Sequence, residues 1–261
     1  MTDADICGPD DRVARHYRAL LAAHYTWMLG GDIEATARDQ QAILQSLVTP
    51  AGGAPRGVAV DLGCGSGAQT LALADLGYDP VLAVDTDPTL LAELGTHTSA
   101  RPAVRTMEGD AVSTAADLEA GSVAVCVCMG DTLLHLRSAT AVTEMFANVA
   151  RALRPGGALL LSYRPLVDQR RGTDRFIPVR SDADRVMVCF LDFTDPDTVE
   201  VHDIVHARTA NGWTMTASSY PKLRLSPAWI TAQLTVAGLE VDHHEQGPSG
   251  MWRSLARRPA A

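Results

Sequence analysis

The sequence predicts an α/β fold built on a doubly wound, mostly parallel sheet. From residue 57 onwards, short apolar segments alternate with amphipathic helical segments, which is the pattern of βαβ units. One of the apolar segments runs directly into the glycine-rich turn 63–67, and a helical segment follows the turn. After Tyr163 the alternation stops, and three strand-like segments separated by turn residues predict an antiparallel β insertion.

The alternation places five core strands before the insertion and two after it. We predict the core strands at 57–61, 81–85, 103–107, 123–129, 158–163, 239–245 and 251–257. The accompanying helices are predicted at 67–76, 88–94, 114–120, 138–153 and 226–237. The strands of the insertion are predicted at 185–193, 198–208 and 212–220.

A helical region precedes the core. Apolar residues at helical spacing predict amphipathic helices over 10–24 and 32–48, and an aromatic stretch that ends in Gly30-Gly31 separates them. The turn-forming residues of 49–55 close this region. We therefore predict four parts of the chain: an N-terminal helical part at 1–50, a ligand-binding core at 51–163, the antiparallel insertion at 164–225 and a C-terminal part at 226–261.

Composition and charge narrow the classes of function. The chain has 261 residues and a net charge of −9, which disfavours a nucleic-acid partner. It contains no apolar run of the roughly 18–20 residues that a membrane helix needs, and its first residues lack a signal-peptide pattern. Its five cysteines are expected to be reduced thiols, with Cys126 and Cys128 in a buried strand. We therefore expect a cytoplasmic protein with no membrane partner and no metal site.

The glycine-rich turn is the strongest single signal for a ligand. Gly63, Gly65 and Gly67 let the backbone turn tightly and approach a ligand, and the following helix directs its free N–H groups to the same place. Asp61 adds a carboxylate at the end of the strand, and Asp85 follows Gly67 by 18 residues. Taken alone, this pattern fits a dinucleotide cofactor as well as a mononucleotide-like one.

Five motifs in register resemble those of the class I S-adenosylmethionine-dependent methyltransferases of the small-molecule type. They are Asp61-Leu62-Gly63-Cys64-Gly65-Ser66-Gly67, Val81-Leu82-Ala83-Val84-Asp85, Glu108-Gly109-Asp110-Ala111, Met129-Gly130-Asp131-Thr132 and Leu153-Arg154-Pro155-Gly156-Gly157. The resemblance implies a seven-stranded sheet of order 3-2-1-4-5-7-6, with strand 7 antiparallel. It also implies S-adenosyl-L-methionine as the cofactor.

The resemblance assigns cofactor contacts residue by residue. It implies that Asp85 binds the ribose hydroxyls, that Asp110 meets the adenine amine and that Asp61 meets the ammonium group. The region 1–50 resembles the lid of small-molecule members, where an aromatic face can shield a sulfonium by cation–π attraction; aromatic packing between two helices is the alternative. The complete expected cofactor set is Tyr25, Trp27, Gly30, Asp61, Gly63, Cys64, Gly65, Gly67, Asp85, Thr86, Gly109, Asp110, Ala111, Met129 and Gly130.

The acceptor side is less clearly marked. The fourth strand lacks the Asn/Asp-Pro-Pro-aromatic motif of DNA-adenine and protein-glutamine methyltransferases, which favours a small-molecule acceptor. The candidate catalytic residues are Asp131, His135 and Tyr163, with a structural cap and a half-buried histidine as the alternative for the first two. The candidate substrate residues are Arg164, Tyr220 and Arg224. The arginines of 164–180 are either a clamp for a substrate carboxylate or part of a solvated loop.

We therefore expect transfer of a methyl group from S-adenosylmethionine to an O, N or C nucleophile of a small metabolite. One alternative is an enzyme of the same fold that cleaves the cofactor by intramolecular displacement and releases methylthioadenosine. A second is a cofactor-binding protein without turnover, and a nicotinamide dehydrogenase is more distant. The insertion is expected to serve substrate recognition or to form a homodimer surface.

Overall fold

A computed structural model describes residues 9–48, 57–247 and 249–260. The predicted turn at 49–55 lies outside the described residues, as do the first eight residues of the N-terminal part. The helices are α1 Pro9–His16, α2 Tyr25–Met28, α3 Ile33–Leu47, α4 Ala68–Asp75, α5 Pro88–Thr96, α6 Ala111–Asp117, α7 Ala139–Ala152 and α8 Pro227–Val236. The strands are β1 Val58–Leu62, β2 Val81–Asp85, β3 Val104–Glu108, β4 Val123–Cys128, β5 Leu153–Tyr163, β6 Phe176–Ser181, β7 Arg185–Asp192, β8 Thr198–Thr209, β9 Gly212–Leu223, β10 Glu240–Gln246 and β11 Trp252–Arg257.

The larger sheet of the described chain has the predicted topology. Its strands run in the order β3-β2-β1-β4-β5-β11-β10. The first five pair in parallel, and β11 is antiparallel to both β5 and β10. This confirms the seven-stranded, doubly wound fold and its antiparallel last strand. The carboxyl ends of β1, β2, β4 and β5 therefore meet at one edge, where such sheets bind ligands.

Helices cover both faces of this sheet because its central strands are apolar on both sides. All six residues of β4 are buried, and Cys126 and Cys128 are free thiols within it. One face packs on α6, α7 and α8, with Phe146 of α7 fully buried. The opposite face packs on α3, α4 and α5. Asp87 and Ser138 cap α5 and α7 with their side chains, so these helices begin where the sequence predicts.

The insertion forms a separate antiparallel sheet of order β6-β7-β8-β9. Alternate residues of β8 are buried, which is the pattern of a strand with one covered face. The sequence-based prediction of three strands was incomplete because it assigned β6 to a polar loop. Pro178 and a register irregularity before Arg180 interrupt the strand pattern of β6, and both are tolerated because β6 is an edge strand.

Two helix predictions are corrected. The segment predicted as one helix over 10–24 is α1 followed by a π-helical turn at Tyr17–Leu21 and a 3-10 turn at Ala22–His24. Leu20 and Leu21 in these turns pack against Met187 of β7 and Val205 of β8, so tertiary packing overrides a continuous helix. The helix predicted at 114–120 begins earlier, because the Asp110 carboxylate accepts hydrogen bonds from the backbone at the start of α6.

No helix in the described part of the chain is long and apolar enough to cross a membrane.

Candidate active site

The glycine turn after β1 is closely covered by two neighbouring elements. Gly63 and Gly65 have positive φ angles of 75° and 54°. A Cβ atom on Gly63 would lie 2.2 Å from Cγ2 of Thr132, and one on Gly65 would lie 2.7 Å from Cε1 of Tyr25. The turn therefore requires glycine both for its backbone conformation and for the close approach of these side chains.

Two carboxylates, half-buried Asp85 and buried Asp61, lie beneath the turn. Oδ2 of Asp85 accepts a hydrogen bond from Gly65 N at 2.7 Å, and Oδ1 accepts one from Asp87 N at 2.9 Å. Burial raises the pKa of Asp85 above its usual value. Asp61 accepts the hydroxyl of Thr70 at 2.7 Å, and burial raises the pKa of Asp61 to about 7 although this bond opposes the rise. The two acids lie at the ends of adjacent strands, as predicted.

Two cavities open at this edge of the sheet. The smaller has a volume of about 120 Å³ and contains, of the predicted cofactor residues, Gly65, Asp85, Thr86, Gly109, Asp110 and Ala111. The larger has a volume of about 650 Å³ and contains, of the predicted residues, Cys64, Gly67, Met129, Gly130, Asp131, Arg164 and Tyr220. Tyr17, Tyr25, Gly63 and His135 line both cavities. The two spaces therefore adjoin at the glycine turn, and together they can take an elongated ligand.

Asp131 connects the larger cavity to the second sheet. It has a positive φ of 74°, which turns the chain sharply after β4. Its Oδ1 accepts Arg164 N at 2.7 Å, while its Oδ2 accepts the guanidinium of Arg164 at 2.8 Å and Nζ of Lys222 at 3.1 Å. Burial opposes ionisation, but Lys222 and Arg164 outweigh it and lower the pKa of Asp131 to about 2. These cations and the low pKa make Asp131 a poor proton acceptor.

His135 lies where the two cavities adjoin. Its ring meets those of Tyr17 and Tyr220 edge-on, with centroid distances of 5.8 Å and 5.4 Å. Its Nε2 is buried and has no hydrogen-bond partner within the described residues. Burial and the neighbouring Lys222 lower the pKa of His135 to about 3, so the ring is neutral at physiological pH.

The second sheet and α1 supply a wall that was predicted only in part from the sequence. The ring of His16 stacks on Tyr220 with centroids 4.1 Å apart, and its Nε2 lies 3.0 Å from Oδ2 of Asp203. Asp203 and Tyr220 line the larger cavity together with Lys222. Of this wall, only Tyr220 was predicted from the sequence, as a candidate substrate residue. Asp203 and Lys222 carried no signal, because they look like ordinary polar residues of an antiparallel strand.

Trp27 and Gly30 lie outside both cavities in the described structure, so the cavity linings do not support their predicted place in the cofactor set. The indole of Trp27 donates to Oδ2 of Asp182 at 2.6 Å, and the guanidinium of Arg185 lies 4.5 Å from its ring centroid. Gly30, with a φ of 127°, lies beside the guanidinium of Arg180. Aromatic packing, the alternative for this stretch, therefore describes Trp27, whereas Tyr25 lies over the turn.

Tyr163 and Arg224 are also displaced from the cavities. Tyr163 is fully buried in the core on the α7 side and burial raises its pKa to about 12, so its position does not support the predicted catalytic role. The guanidinium of Arg224 donates to the backbone carbonyls of Leu166 and Val167, which makes it a structural residue and corrects its assignment to substrate. Asp61 lies beneath the glycine turn and, of the described cavity walls, belongs to neither.

The sheet order of this chain is that of the class I methyltransferase fold. Residues 59–157 match the family model described as a methyltransferase domain. This match confirms the resemblance that the five motifs predicted. The chain therefore carries a methyltransferase domain over these residues and is an enzyme that uses S-adenosylmethionine as its cofactor.

Solved structures share the fold over nearly the whole chain. The CcbJ methyltransferase from Streptomyces caelestis is 22% identical, with a TM-score of 0.73 over 94% of this chain and 98% of that one. CalS10, an amino pentose methyltransferase from Micromonospora echinaspora, is 20% identical, with a TM-score of 0.70 over 91% and 96%. The sugar N-methyltransferase KedS8 from Streptoalloteichus sp ATCC 53650 is 18% identical, with a TM-score of 0.64 over 93% and 92%. A comparison with curated protein sequences found no match.

Proposed function

We propose that this enzyme methylates an amine nitrogen of a small polar acceptor. The observation that carries the proposal is the composition of the larger cavity. It adjoins the glycine turn, and its walls include the buried carboxylate of Asp203. Asp131 and His135, which also line it, are poor bases. A volume of about 650 Å³ suits a small molecule beside part of a cofactor.

The residues around the glycine turn fit the cofactor. The smaller cavity offers Asp85 and Asp110 to the hydroxyls and amine of an adenosine group. Gly63 and Gly65 of the turn line these cavities, and Asp61 beneath the turn offers a negative charge to the ammonium group. When bound, S-adenosylmethionine supplies a methyl group made electrophilic by its sulfonium.

The N-terminal part is proposed to act as the lid over this site. Tyr25 packs on Gly65 and lines both cavities. The hydroxyl of Thr26 donates to Oγ of Ser66 at 2.9 Å, which ties α2 to the glycine turn. Tyr17 places a second phenol ring where the cavities adjoin, so the aromatic groups there exclude water and favour a cation.

The protonation states favour an amine over a hydroxyl as the acceptor. A hydroxyl nucleophile needs an adjacent base to remove its proton. Asp131 and His135, with pKa values of about 2 and about 3, are too weak for this, and burial keeps Tyr17 protonated by raising its pKa. An amine has a neutral fraction near physiological pH, and it can release its proton to water before the transfer.

Asp203 is the group best placed to orient such an amine. Its carboxylate lines the larger cavity, and His16 holds it from behind through the 3.0 Å contact. A carboxylate attracts an ammonium from water and then accepts an N–H hydrogen bond from the neutral amine. This contact would direct the nitrogen lone pair away from Asp203. The names of CalS10 and KedS8, an amino pentose and a sugar N-methyltransferase, are consistent with an amine acceptor.

The test uses matched acceptors that differ in one group. A panel of amino sugars and other small amines, each paired with its hydroxyl analogue, is incubated with S-adenosylmethionine. Formation of S-adenosylhomocysteine together with a singly methylated amine supports the proposal. Methylation of the hydroxyl analogues alone would refute an amine acceptor. Release of methylthioadenosine without any methylated product would show that the enzyme cleaves the cofactor instead.

A variant locates the amine contact. Asp203→Asn keeps the shape of the side chain and removes its charge, so kcat/KM for the amine should fall by about tenfold to a hundredfold, the equivalent of one charge-assisted hydrogen bond. Asp192→Asn is the matched control, because Asp192 pairs with Arg175 on the surface of the same sheet. Equal activity of the two variants would exclude Asp203 from acceptor binding.

A further inference from the structure

The larger cavity is rich in cations, although the chain as a whole is acidic. Arg164, Arg170, Lys222 and Arg253 line it, whereas Asp131 and Asp203 are its only carboxylates within the described structure. The net charge of the chain is −9, so this excess of positive charge is local.

The carboxylates of the cavity leave part of this charge unbalanced. Asp131 is engaged by Arg164 and Lys222, and Asp203 by His16. Arg170 and Arg253 have no carboxylate within ion-pair distance in the described part of the chain. Two guanidinium groups therefore line the cavity, and their N–H groups can donate hydrogen bonds to an anion.

Other arginines of the same region have partners elsewhere. Arg175 pairs with Asp192 at 3.2 Å, and Arg185 pairs with Asp182 at 3.6 Å. Arg170 differs from them because it is exposed and lines the cavity. The arginine-rich segment is thus neither wholly a clamp nor wholly a solvated loop.

Strand register places Arg253 beside Ser162, close to the end of β4. Arg253 of β11 is paired with Ser162 of β5. Ser162 also lines the cavity, and its Oγ accepts a hydrogen bond from Gly130 N at 2.8 Å. Since Gly130 lies at the end of β4, Arg253 is two strands from the turn that carries Asp131.

We propose that Arg170 and Arg253 bind an anionic group of the acceptor, a phosphate or a carboxylate, at the mouth of the larger cavity. The planar guanidinium binds both kinds of oxyanion in a bidentate manner, and the exposed half of the Arg164 side chain provides a third cation. This inference rests on the proposed function: the acceptor carries its amine near Asp203 and its negative charge towards the solvent.

The experiment measures anion binding without turnover. Full-length enzyme saturated with S-adenosylhomocysteine is titrated calorimetrically with pyrophosphate, inorganic phosphate and malonate at constant ionic strength. We expect saturable binding that Arg170→Gln and Arg253→Gln each weaken by about tenfold, the loss of one charge-assisted contact. A preference for pyrophosphate or phosphate indicates a phosphorylated acceptor, and a preference for malonate indicates a carboxylated one.

Arg171→Gln is the matched control. It changes the net charge equally at the next position, and Arg171 is exposed and outside the cavity lining. Equal weakening by Arg171→Gln would reduce the effect to general electrostatics and overturn the proposal. Binding that is unchanged in both cavity variants, or no anion binding by the wild type, would also overturn it.

The acceptor panel separates this inference from the proposed function. If neutral amines are methylated with the same KM as acidic ones, and Arg170→Gln and Arg253→Gln leave both KM values unchanged, then only the anion site is refuted. If anions bind as expected but only hydroxyl analogues are methylated, then the amine proposal fails and the anion site stands.

Discussion

The ion cluster at Asp131 predicts a large and specific loss of stability when its charge is removed. The Asp131 side chain is 7% exposed and that of Lys222 is 13% exposed, whereas that of Arg164 is 50% exposed. In Asp131→Asn, Arg164 can turn towards the solvent, but Lys222 remains largely buried without a counter-charge. Breaking a buried pair in this way costs about 3–5 kcal/mol of the free energy of unfolding.

Two further variants make this reasoning quantitative. Arg164→Gln should cost at most about 1 kcal/mol, because the Arg164 side chain is itself half exposed and Lys222 still neutralises Asp131. The double variant Asp131→Asn with Lys222→Met should recover part of the loss, since it removes the stranded cation as well. Asp192→Asn, which breaks a pair about a third exposed, is the surface control and should cost at most about 1 kcal/mol.

Urea denaturation at neutral pH, with the m-value compared across variants, measures these differences. If Asp131→Asn lies within about 1 kcal/mol of the wild type, the cluster does not stabilise the fold as argued. If the double variant is as unstable as the sum of the single ones, Lys222 is not the stranded charge. The pKa of Asp131, about 2, lies below its value in unfolded chains, so this contribution is present above about pH 4 and is lost as the pH falls towards 2.

Three other predictions concern the cofactor edge. Gly65→Ala should weaken S-adenosylhomocysteine binding by tenfold or more, because its Cβ would displace Tyr25. The control Gly121→Ala adds only the strain of a positive φ, about 1–2 kcal/mol, and should leave the affinity unchanged. Calorimetry should show that the affinity for S-adenosylhomocysteine falls about tenfold per pH unit below about pH 7, because Asp61 becomes protonated there and no longer attracts the ammonium group of the ligand. Asp61→Asn should remove this pH dependence, and a flat profile for the wild type would contradict the prediction. Because the pKa of His135 is about 3, the pH profile of kcat/KM should lack an inflection near the ordinary histidine value; an inflection that His135→Asn abolishes would contradict this.

The positions of the glycine turn and of its neighbouring acids could be predicted because their signals are local. The glycines of 63–67, Asp85 at the end of β2 and Asp110 at the start of α6 each occupy a position that backbone conformation or strand order dictates. The alternation of strands and helices then fixes their relative places, since consecutive parallel strands end at one edge. The sequence therefore predicts both the order of the strands and the edge of the sheet at which the glycine turn lies.

The acceptor half could not be predicted in the same way because its contacts join distant parts of the chain. His16 and Asp203 are 187 residues apart, and Lys222 and Asp131 are 91 apart. An alternating pattern in an antiparallel strand shows which face is buried, but not which other element covers it. Trp27 illustrates the same limit: an aromatic residue near a glycine pair suited a ligand contact, whereas its indole is bound to Asp182 of the insertion.

The position of Asp131 indicates how the two halves work together. Its neighbour Thr132 donates to the carbonyl oxygens of Met129 at 2.9 Å and Gly63 at 3.3 Å, so the turn after β4 is fixed to the glycine turn. The Asp131 carboxylate fixes the same turn to Lys222 of the second sheet. The second sheet is therefore joined to the glycine turn through two consecutive residues, Asp131 and Thr132. Under the proposed function, this connection holds the acceptor-binding residues of the insertion beside the turn that contacts the cofactor.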